Sequence, residues 1–484
     1  MSEDKLDKLN PDDENKTYRN ELATVTKEGK RKWIFSKKPH GRFYNARNIV
    51  TIILLFILFV TPFIKLNGYP FILFDFPNRN FILFGIPFGP HDFFLFVLAM
   101  IATLVFIILF TAIFGRVFCG WACPQTIFME MVFRKIEYWI EGDYREQKKL
   151  KAAPWTGKKI FKKGTKHGIF FAISFIIANF FLAYIIGMDK LIGIVTDPPS
   201  KHLQGLIAIT IFSGVFYWIF SYFREQVCTL VCPYGRLQGV LLDRDSVVIA
   251  YDHVRGEPRG KIKKNEDQSN LGDCIDCRMC VDVCPTGIDI RDGIQLECVN
   301  CTACIDACDE VMDKVNRPRK LIKYASINSI EKKTMFRFTP RAIVYSVLLF
   351  ILTGILSYLL VTRTDFSVNI LRTPGMLFQE QPGDKVSNLY DINVVNKTFK
   401  KADINLKLDN IEGKLQVIGK KLEVDPQGII DAKFLLIVPK SNIHGMVTPI
   451  KISVYNRDKL IKEISTSLLG PVNKKEIEKD EKEG

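Results

Sequence analysis

Cys274-Ile275-Asp276-Cys277-Arg278-Met279-Cys280-Val281-Asp282-Val283-Cys284-Pro285 and Cys298-Val299-Asn300-Cys301-Thr302-Ala303-Cys304-Ile305-Asp306-Ala307-Cys308 place eight thiols in two runs of one spacing, Cys-x2-Cys-x2-Cys-x3-Cys. Thiolates spaced in this way wrap a [4Fe–4S] cubane, three from the tight loop and the fourth from the other run. Cys274, Cys277, Cys280 and Cys308 are therefore expected to hold one cluster, and Cys298, Cys301, Cys304 and Cys284 a second. Tetrahedral zinc would need only two Cys-x2-Cys pairs, fewer thiols than these overlapping triples supply. The second run ends in Cys308-Asp309 where the first has Cys284-Pro285, so it lacks the restraint that proline puts on the loop. This pattern predicts an α+β ferredoxin domain of the bacterial two-cluster type. The module from Gly272 to Glu310 carries nine acids and two arginines. It reads either as a solvated face or as a surface that docks onto the basic loop Arg145–Lys166 or onto a partner.

Outside the module the chain is apolar and basic. Of 484 residues, 48% are apolar and 25% charged, with 67 Lys and Arg against 52 Asp and Glu. That balance, with 37 Phe, suits a mixture of membrane spans and polar domains and excludes collagen-like or wholly disordered classes. Its length also excludes a small disulfide scaffold. Five uncharged apolar stretches stand out: Asn48–Ile64, Phe93–Gly115, Gly168–Met188, Leu203–Phe223 and Ala342–Thr362. Each approaches the ~20 residues that a helix needs to cross the hydrocarbon core. The first is short, and Lys65 can snorkel from its end. It is not read as a cleaved signal, because 47 mostly polar residues precede it and it ends in Thr61-Pro62-Phe63.

Lys and Arg set the orientation. Twelve lie between Lys5 and Arg47 and twelve more between Arg116 and His167, whereas the loops 67–92 and 189–202 hold one and two. The N-terminus, the middle loop and residues 224–341 are thus expected on the cytoplasmic side of a bacterial inner membrane, with 363–484 outside. The positive charge is then a topology signal, and nucleic acid is not an expected partner. The predicted organisation is a basic tail (1–47), a four-helix membrane domain (48–240), the ferredoxin domain (241–341), a fifth span (342–362), an outer domain (363–473) and a charged disordered tail (474–484). In the first outer loop, Phe-Ile-Leu-Phe occurs at 71–74 and 81–84 around Pro77-Asn78-Arg79-Asn80, which predicts an interfacial hairpin.

All twelve cysteines fall on the predicted reducing side, so metal or redox work is expected there rather than disulfides. The remaining four form a repeat. Cys119-Gly120-Trp121-Ala122-Cys123-Pro124 follows the second span and Cys228-Thr229-Leu230-Val231-Cys232-Pro233 the fourth, each after an arginine, Arg116 or Arg224. A repeated helix pair would bring both CxxxCP motifs to one depth. If the stretch stays helical, the thiols at i and i+4 share a face; otherwise the Cys-Pro step turns the chain. Cys119, Cys123, Cys228 and Cys232 then hold a third cluster, bind a soft metal such as Cu(I), act as a redox dithiol pair, or are inert buried residues.

None of the six histidines lies inside a span, which argues against a membrane haem. No Walker A or strand-following G-x-G-x-x-G supports nucleotide chemistry. Beyond residue 365 the pattern changes to alternating runs at Asn388–Val395, Asp403–Leu408, Lys414–Ile418, Ala432–Val438, Ile450–Tyr455 and Ile461–Leu468, predicting an all-β, Ig-like sandwich without the antibody cysteine pair.

Several segments together carry a family resemblance: Phe74-Asp75-Phe76-Pro77-Asn78-Arg79, Cys119–Gln125, Tyr251-Asp252 with Arg255-Gly256-Glu257-Pro258-Arg259-Gly260, the region 272–309 and the sandwich after the last span. Over about residues 30–470 the chain resembles the cytochrome c oxidase accessory protein family (CcoG, FixG or RdxA). The resemblance implies a cupric reductase role in which electrons pass through the clusters to reduce Cu(II) to Cu(I) for assembly of cbb3-type cytochrome c oxidase. It also implies partners: a cytoplasmic electron donor, a copper chaperone or transporter, and oxidase subunits. Cu(I) suits thiolates while Cu(II) prefers nitrogen and oxygen donors, so the four CxxxCP thiols are the candidate catalytic site. Two rivals are a general polyferredoxin that exchanges electrons with quinol and a separate reductase, and a non-catalytic redox-sensing scaffold whose outer domain binds the oxidase.

Overall fold

The structure is a computed structural model that describes Thr24 and residues 30–66, 68–76, 80–89, 92–262, 270–333, 339–419, 421–443 and 445–471. The tail 474–484, nearly all of residues 1–29 and the turn Pro77-Asn78-Arg79 lie outside the described residues. Five helices are long and apolar enough to cross a membrane: Arg42–Phe63, Phe93–Phe114, Gly157–Ile186, Pro199–Phe223 and Pro340–Val361. Their outward faces carry Ile52, Phe56, Phe106, Ile211 and Phe350, all exposed, as expected of surface solvated by lipid. The protein is a membrane protein. The chain divides into two compact units, one of Met1–Ile64 with Leu98–Gly354 and one of Lys65–Val97 with Ile355–Gly484.

In the first unit, two spans begin six or more residues before their apolar runs, each for a visible reason. The first starts at Arg42, where Asp306 accepts the backbone N–H groups of Phe43 at 3.1 Å and Tyr44 at 2.8 Å. A carboxylate there satisfies orphan amides and faces the positive end of the helix dipole. Gly41, at φ 135°, leaves the space that Asp306 occupies, since a Cβ would lie 2.4 Å from the Asp306 Cγ. The third span extends down to Gly157 because the lysines before it are good helix formers and Thr156 caps the N–H of Lys159. A cluster of rings ties the spans together: Phe133 stacks on Phe220 at 5.0 Å and meets Phe170 edge-on at 4.8 Å.

Below the spans, strands Val248–Tyr251 and Ile322–Ala325 pair antiparallel, with Val248 opposite Ala325 and Tyr251 opposite Ile322. The two cysteine runs lie between them in sequence. Helix Met279–Asp282 follows the first run's opening loop and helix Ala303–Lys314 the second's. The shorter helix ends before Cys284-Pro285, because proline disfavours helical geometry in the residue before it. Asp309 imposes no such stop, so the second helix runs on through Cys308 to Lys314.

The second unit contains the sandwich. Strand Lys385–Asn396 is central to one sheet, flanked by Phe366–Arg372 and by Ile429–Pro439, which in turn pairs with Lys414–Ile418; Gln379–Gln381 pairs the start of the central strand. The other sheet runs Glu423–Val424, Ala402–Leu408, Val447–Asn456, Lys459–Leu469. Tyr390, Phe434, Leu436, Ile452 and Val454 fill the space between them. All six expected runs are strands, most of them longer than their alternating cores. Strand Phe366–Arg372 escaped the sequence reading because it follows the last span so closely that its pattern merges with the span's edge. The hairpin also forms, Ile72–Asp75 against Asn80–Leu83, with a third strand at Ile86–Phe88. Tyr69 stacks on Phe399 at 3.7 Å and donates to its carbonyl at 2.8 Å, so the loop packs on the sandwich.

Candidate functional site

The two cysteine runs repeat at the level of backbone. Asp276 and Asn300, and then Arg278 and Thr302, occupy equivalent positions and all four have positive φ, between 49° and 68°. Left-handed residues are costly for a β-branched Thr and for Arg, and are found where a loop must curl tightly around something. Here they curl each Cys-x2-Cys-x2-Cys loop around its own thiols. Cys274, Cys277, Cys280 and Cys308 line one small cavity together with Tyr251, Arg291 and Ile322. Cys284 acts electrostatically on Cys298, Cys301 and Cys304, which marks a second set. Each run thus delivers its fourth cysteine to the other run's loop.

Burial pushes these thiols up: Cys298 and Cys308 to about 12 and Cys301 to about 11, with neighbouring thiols adding to the rise. Thiols so crowded stay protonated at neutral pH unless a cationic centre holds them as thiolates, so the donor sets fit an iron–sulfur cluster. Among the described residues no three His, Cys, Asp or Glu side chains converge on a point suited to a single metal ion. A cubane asks for less convergence, because its four ligands surround a larger body. Part of the module's acidic charge is met close by: Arg291 pairs with Asp276 at 2.5 Å and Asp289 at 2.6 Å, and Arg255, from before the module, with Asp273 at 2.5 Å. Two of the basic loop's lysines turn elsewhere. Lys163 and Lys166 meet Glu141 at 2.8 and 2.9 Å.

The CxxxCP motifs do not present their thiols on one helical face. Cys119 lies in the short helix Val117–Trp121, but Cys123 is extended, at ψ 124°, and Pro124 opens a new helix. The second motif repeats this, with Cys228 in the π-turn Val227–Val231, Cys232 at ψ 112° and Pro233 starting the next helix. The Cys-Pro step turns the chain in both. The turns bring Cys119, Cys123 and Cys232 close enough to act electrostatically on Cys228. Burial, with smaller contributions from Cys123, Cys119 and Cys232, pushes Cys228 up to about 12.

Two features place this cluster of thiols beside the second cysteine set. Cys119 is buried in one apolar core with Val299, Cys301 and Ala303, against which Cys304 also packs. Trp121 donates to the Tyr324 hydroxyl at 3.1 Å, which donates in turn to the Asn300 carbonyl at 3.3 Å. The two arginines of the repeat diverge in role. Arg116 stays with the thiols: it donates to Gln238 Oε1 at 2.6 Å and to the Leu296 carbonyl, and its charge opposes the rise in Cys119, Cys228 and Cys298. Arg224 instead turns to Glu137, whose carboxyl it holds down at about 2 against the opposing effect of burial. Gln238, whose Oε1 also accepts from Cys119 at 3.4 Å, was missed by the sequence reading, since a lone glutamine carries no spacing signal.

Comparison with known proteins agrees with this arrangement. Residues 223–327 match a family model described as a 4Fe-4S dicluster domain, residues 96–144 a 4Fe-4S binding domain, and residues 356–471 the Ig-like fold at the C-terminus of FixG. Protein RdxA of Cereibacter sphaeroides is 34% identical over 397 residues, covering 78% of this chain and 83% of its own length. The nitrogen fixation protein FixG of Rhizobium meliloti is 32% identical over 466 residues, covering 85% and 87%. A crystal structure of a FixG-related protein from Vibrio parahaemolyticus matches 23% of this chain and all of its own, at 18% identity and a TM-score of 0.20. The chain belongs to the FixG/RdxA family of iron–sulfur electron-transfer proteins.

Proposed function

We propose that the protein reduces Cu(II) to Cu(I) at the four CxxxCP thiols for assembly of a cbb3-type cytochrome c oxidase. The observation that carries this reading is the burial of Cys119 in one core with Cys301 and Cys304. It supports a soft, sulfur-rich acceptor site there, because one thiol of the four lies next to the second cysteine set. Cys274, Cys277, Cys280 and Cys308 would hold one [4Fe–4S] cluster and Cys298, Cys301, Cys304 and Cys284 the other; when bound, these supply one-electron transfer. The chain's own residues do the rest. Cys277 is exposed, and the thiol sets run from it inward to Cys301 and then to Cys119. Copper arrives as substrate: Cu(II) gains one electron, and the product ion suits thiolates better than the reactant does. Arg116 favours the thiolate form of the receiving site. In this reading the cysteine-bearing side faces the cytoplasm of an inner membrane, and the sandwich meets oxidase subunits outside.

A second reading has its own support. The match described as a 4Fe-4S binding domain spans residues 96–144, which include Cys119 and Cys123. The four thiols would then hold a third cluster, in a carrier rather than a copper reductase. Iron, sulfide and copper content of anaerobically purified protein separates the two, with EPR before and after dithionite. About eight irons with bound copper supports the first and about twelve irons the second. Cu(I) formation, trapped by a colorimetric chelator, then tests turnover.

A further inference from the structure

We propose that the cavity between the segment at Trp33 and the third and fourth spans binds the ring of a membrane quinol and is where electrons enter. This rests on the electron-transfer reading above and names its donor. The cavity encloses about 530 Å³, within the ~300–1,000 Å³ range of small-molecule sites. Its walls come from the segment at Trp33 and Phe35, from helices Arg134–Glu141 and Tyr144–Ala152, from Gly157–Ile186 and from the end of the fourth span. It therefore sits where basic loops meet apolar helices, at the depth of a quinone head group on an interfacial boundary.

The chemistry of the lining is specific. Trp33 and Tyr222 stand 6.4 Å apart with the Arg31 guanidinium, paired to Glu225, over one face of each ring at 4.0 and 5.1 Å; Tyr222 and Trp218 stack at 6.2 Å and leave ring surface beside them. Trp218 and Tyr222 are half exposed on an otherwise apolar helix, so the mouth opens beside the lipid-facing surface that would take an isoprenoid tail. His167 shares a hydrogen bond through Nδ1 with the Tyr217 hydroxyl at 2.8 Å. His167 lines the cavity, and among the described residues nothing else bonds its Nε2. An imidazole fixed through Nδ1 offers a defined Nε2 to a ligand oxygen.

A phospholipid phosphate fits less well. Lys163 and Lys166 are both engaged with Glu141, and Lys166 also meets Glu137 at 3.4 Å. The third lining lysine, Lys151, lies over the Trp33 and Phe35 rings at 6.0 and 5.6 Å instead of pairing with a carboxylate among the described residues. The lining thus holds one spare cation rather than a cluster of them. It favours an uncharged ring with polar ends.

A buried ion network joins the cavity to the second cysteine set. Glu137 lines the cavity and faces Arg134; Arg134 pairs with Glu130 at 3.4 Å; and Glu130 acts electrostatically on Cys301. The balance is complete. Each quinol hydroxyl loses its O–H bond, giving a quinone, two protons and two electrons. The electrons would leave singly to the two one-electron iron–sulfur clusters that the cysteine sets would hold. The first proton leaves to Nε2 of His167 in the tautomer whose Nδ1–H is donated to Tyr217, and both reach water on the loop side.

The test uses full-length protein in nanodiscs of uncharged phospholipid. Decylubiquinone and menaquinone-4 are titrated against intrinsic Trp fluorescence, and an azidoquinone photolabel is mapped by mass spectrometry. Saturable binding is expected, with labelling at Trp33 or Tyr222. Affinity should fall at least tenfold in His167→Leu and in Trp33→Ala, each with unchanged iron content. Binding that does not saturate, or that is equal in the wild type and both variants, overturns the proposal. So does displacement of the probe by anionic phospholipid at low mole fraction, which would mark a lipid head-group site. The two readings fail separately: dithionite-reduced protein that converts Cu(II) without binding either quinone sinks the cavity alone. Saturable quinone binding without any Cu(II) reduction sinks the copper reading alone.

Discussion

Gly120 lies so close to Asn300 that a Cβ on the glycine would stand 2.6 Å from the Asn300 carbonyl oxygen. One residue inside the first CxxxCP motif therefore rests directly on the loop of the second cysteine run. The same Cβ would be 2.5 Å from the Val299 carbonyl oxygen, so backbone and not a movable side chain blocks it.

Gly120→Ala should accordingly push the motif off the loop at an overpacking cost of about 2 kcal/mol. Cu(II) reduction by dithionite-reduced protein is expected to drop at least tenfold while the iron content stays at wild-type level. An unchanged rate would show that the close approach is irrelevant to transfer.

Replacing Cys119, Cys123, Cys228 and Cys232 together with Ser removes the thiolate character of the receiving site. Copper reduction should disappear and about eight irons should remain. Persistence of copper turnover in this variant would exclude the motif as the copper site. A fall from about twelve irons to about eight would assign it a cluster instead.

Cys284 and Cys308 belong to the cysteine sets of each other's runs. Cys284→Ser should abolish the EPR signal of the set beside Cys119 and with it most Cu(II) reduction. Cys308→Ser should remove the signal of the set that includes exposed Cys277. If dithionite reaches the remaining set directly, that variant keeps more copper turnover than Cys284→Ser. The reverse order of activities would mean that the two sets are wrongly ordered along the path.

Asp92 is buried at the head of the second span and accepts from Lys397 at 2.7 Å and Arg363 at 2.8 Å. Burial raises its carboxyl, but the hydrogen bonds and charges of the two cations outweigh that and hold it below the usual carboxylate range. A carboxyl whose folded value is depressed contributes stability that is complete above its unfolded value, about 3.9. That stability is lost as pH falls through the lower folded value. Thermal unfolding of the sandwich should therefore show an acid-side loss below about pH 4 that is absent from Asp92→Asn. At neutral pH the variant should lose about 3 kcal/mol, because it strands two partly buried cations. Parallel acid profiles for the two proteins would show that Asp92 does not anchor the loop.

The two cysteine runs, the apolar lengths and the β alternation were legible because each is written in nearby residues. A thiol every third position constrains one loop, and an apolar run constrains one helix, whatever surrounds them. The expected exchange of Cys284 and Cys308 also rests on spacing, since a short loop can bring three ligands to a cubane but not four. The missing proline after Cys308 proved to be a local matter as well: Asp309 lets the helix continue to Lys314.

Tertiary structure alone decided which of these pieces meet. Nothing near Cys119 in sequence indicates that it packs with Cys301, or that Gln238 bonds it. Nor does the repeat distinguish Arg116, which stays with the thiols, from Arg224, which leaves for Glu137. The start of the first span at Arg42 depends on Asp306, more than 250 residues away. The Trp33–Tyr222 cavity likewise joins segments with no shared pattern. Such contacts depend on how side chains from distant segments fill one volume, and close packing makes that volume a property of the assembled fold rather than of any local run.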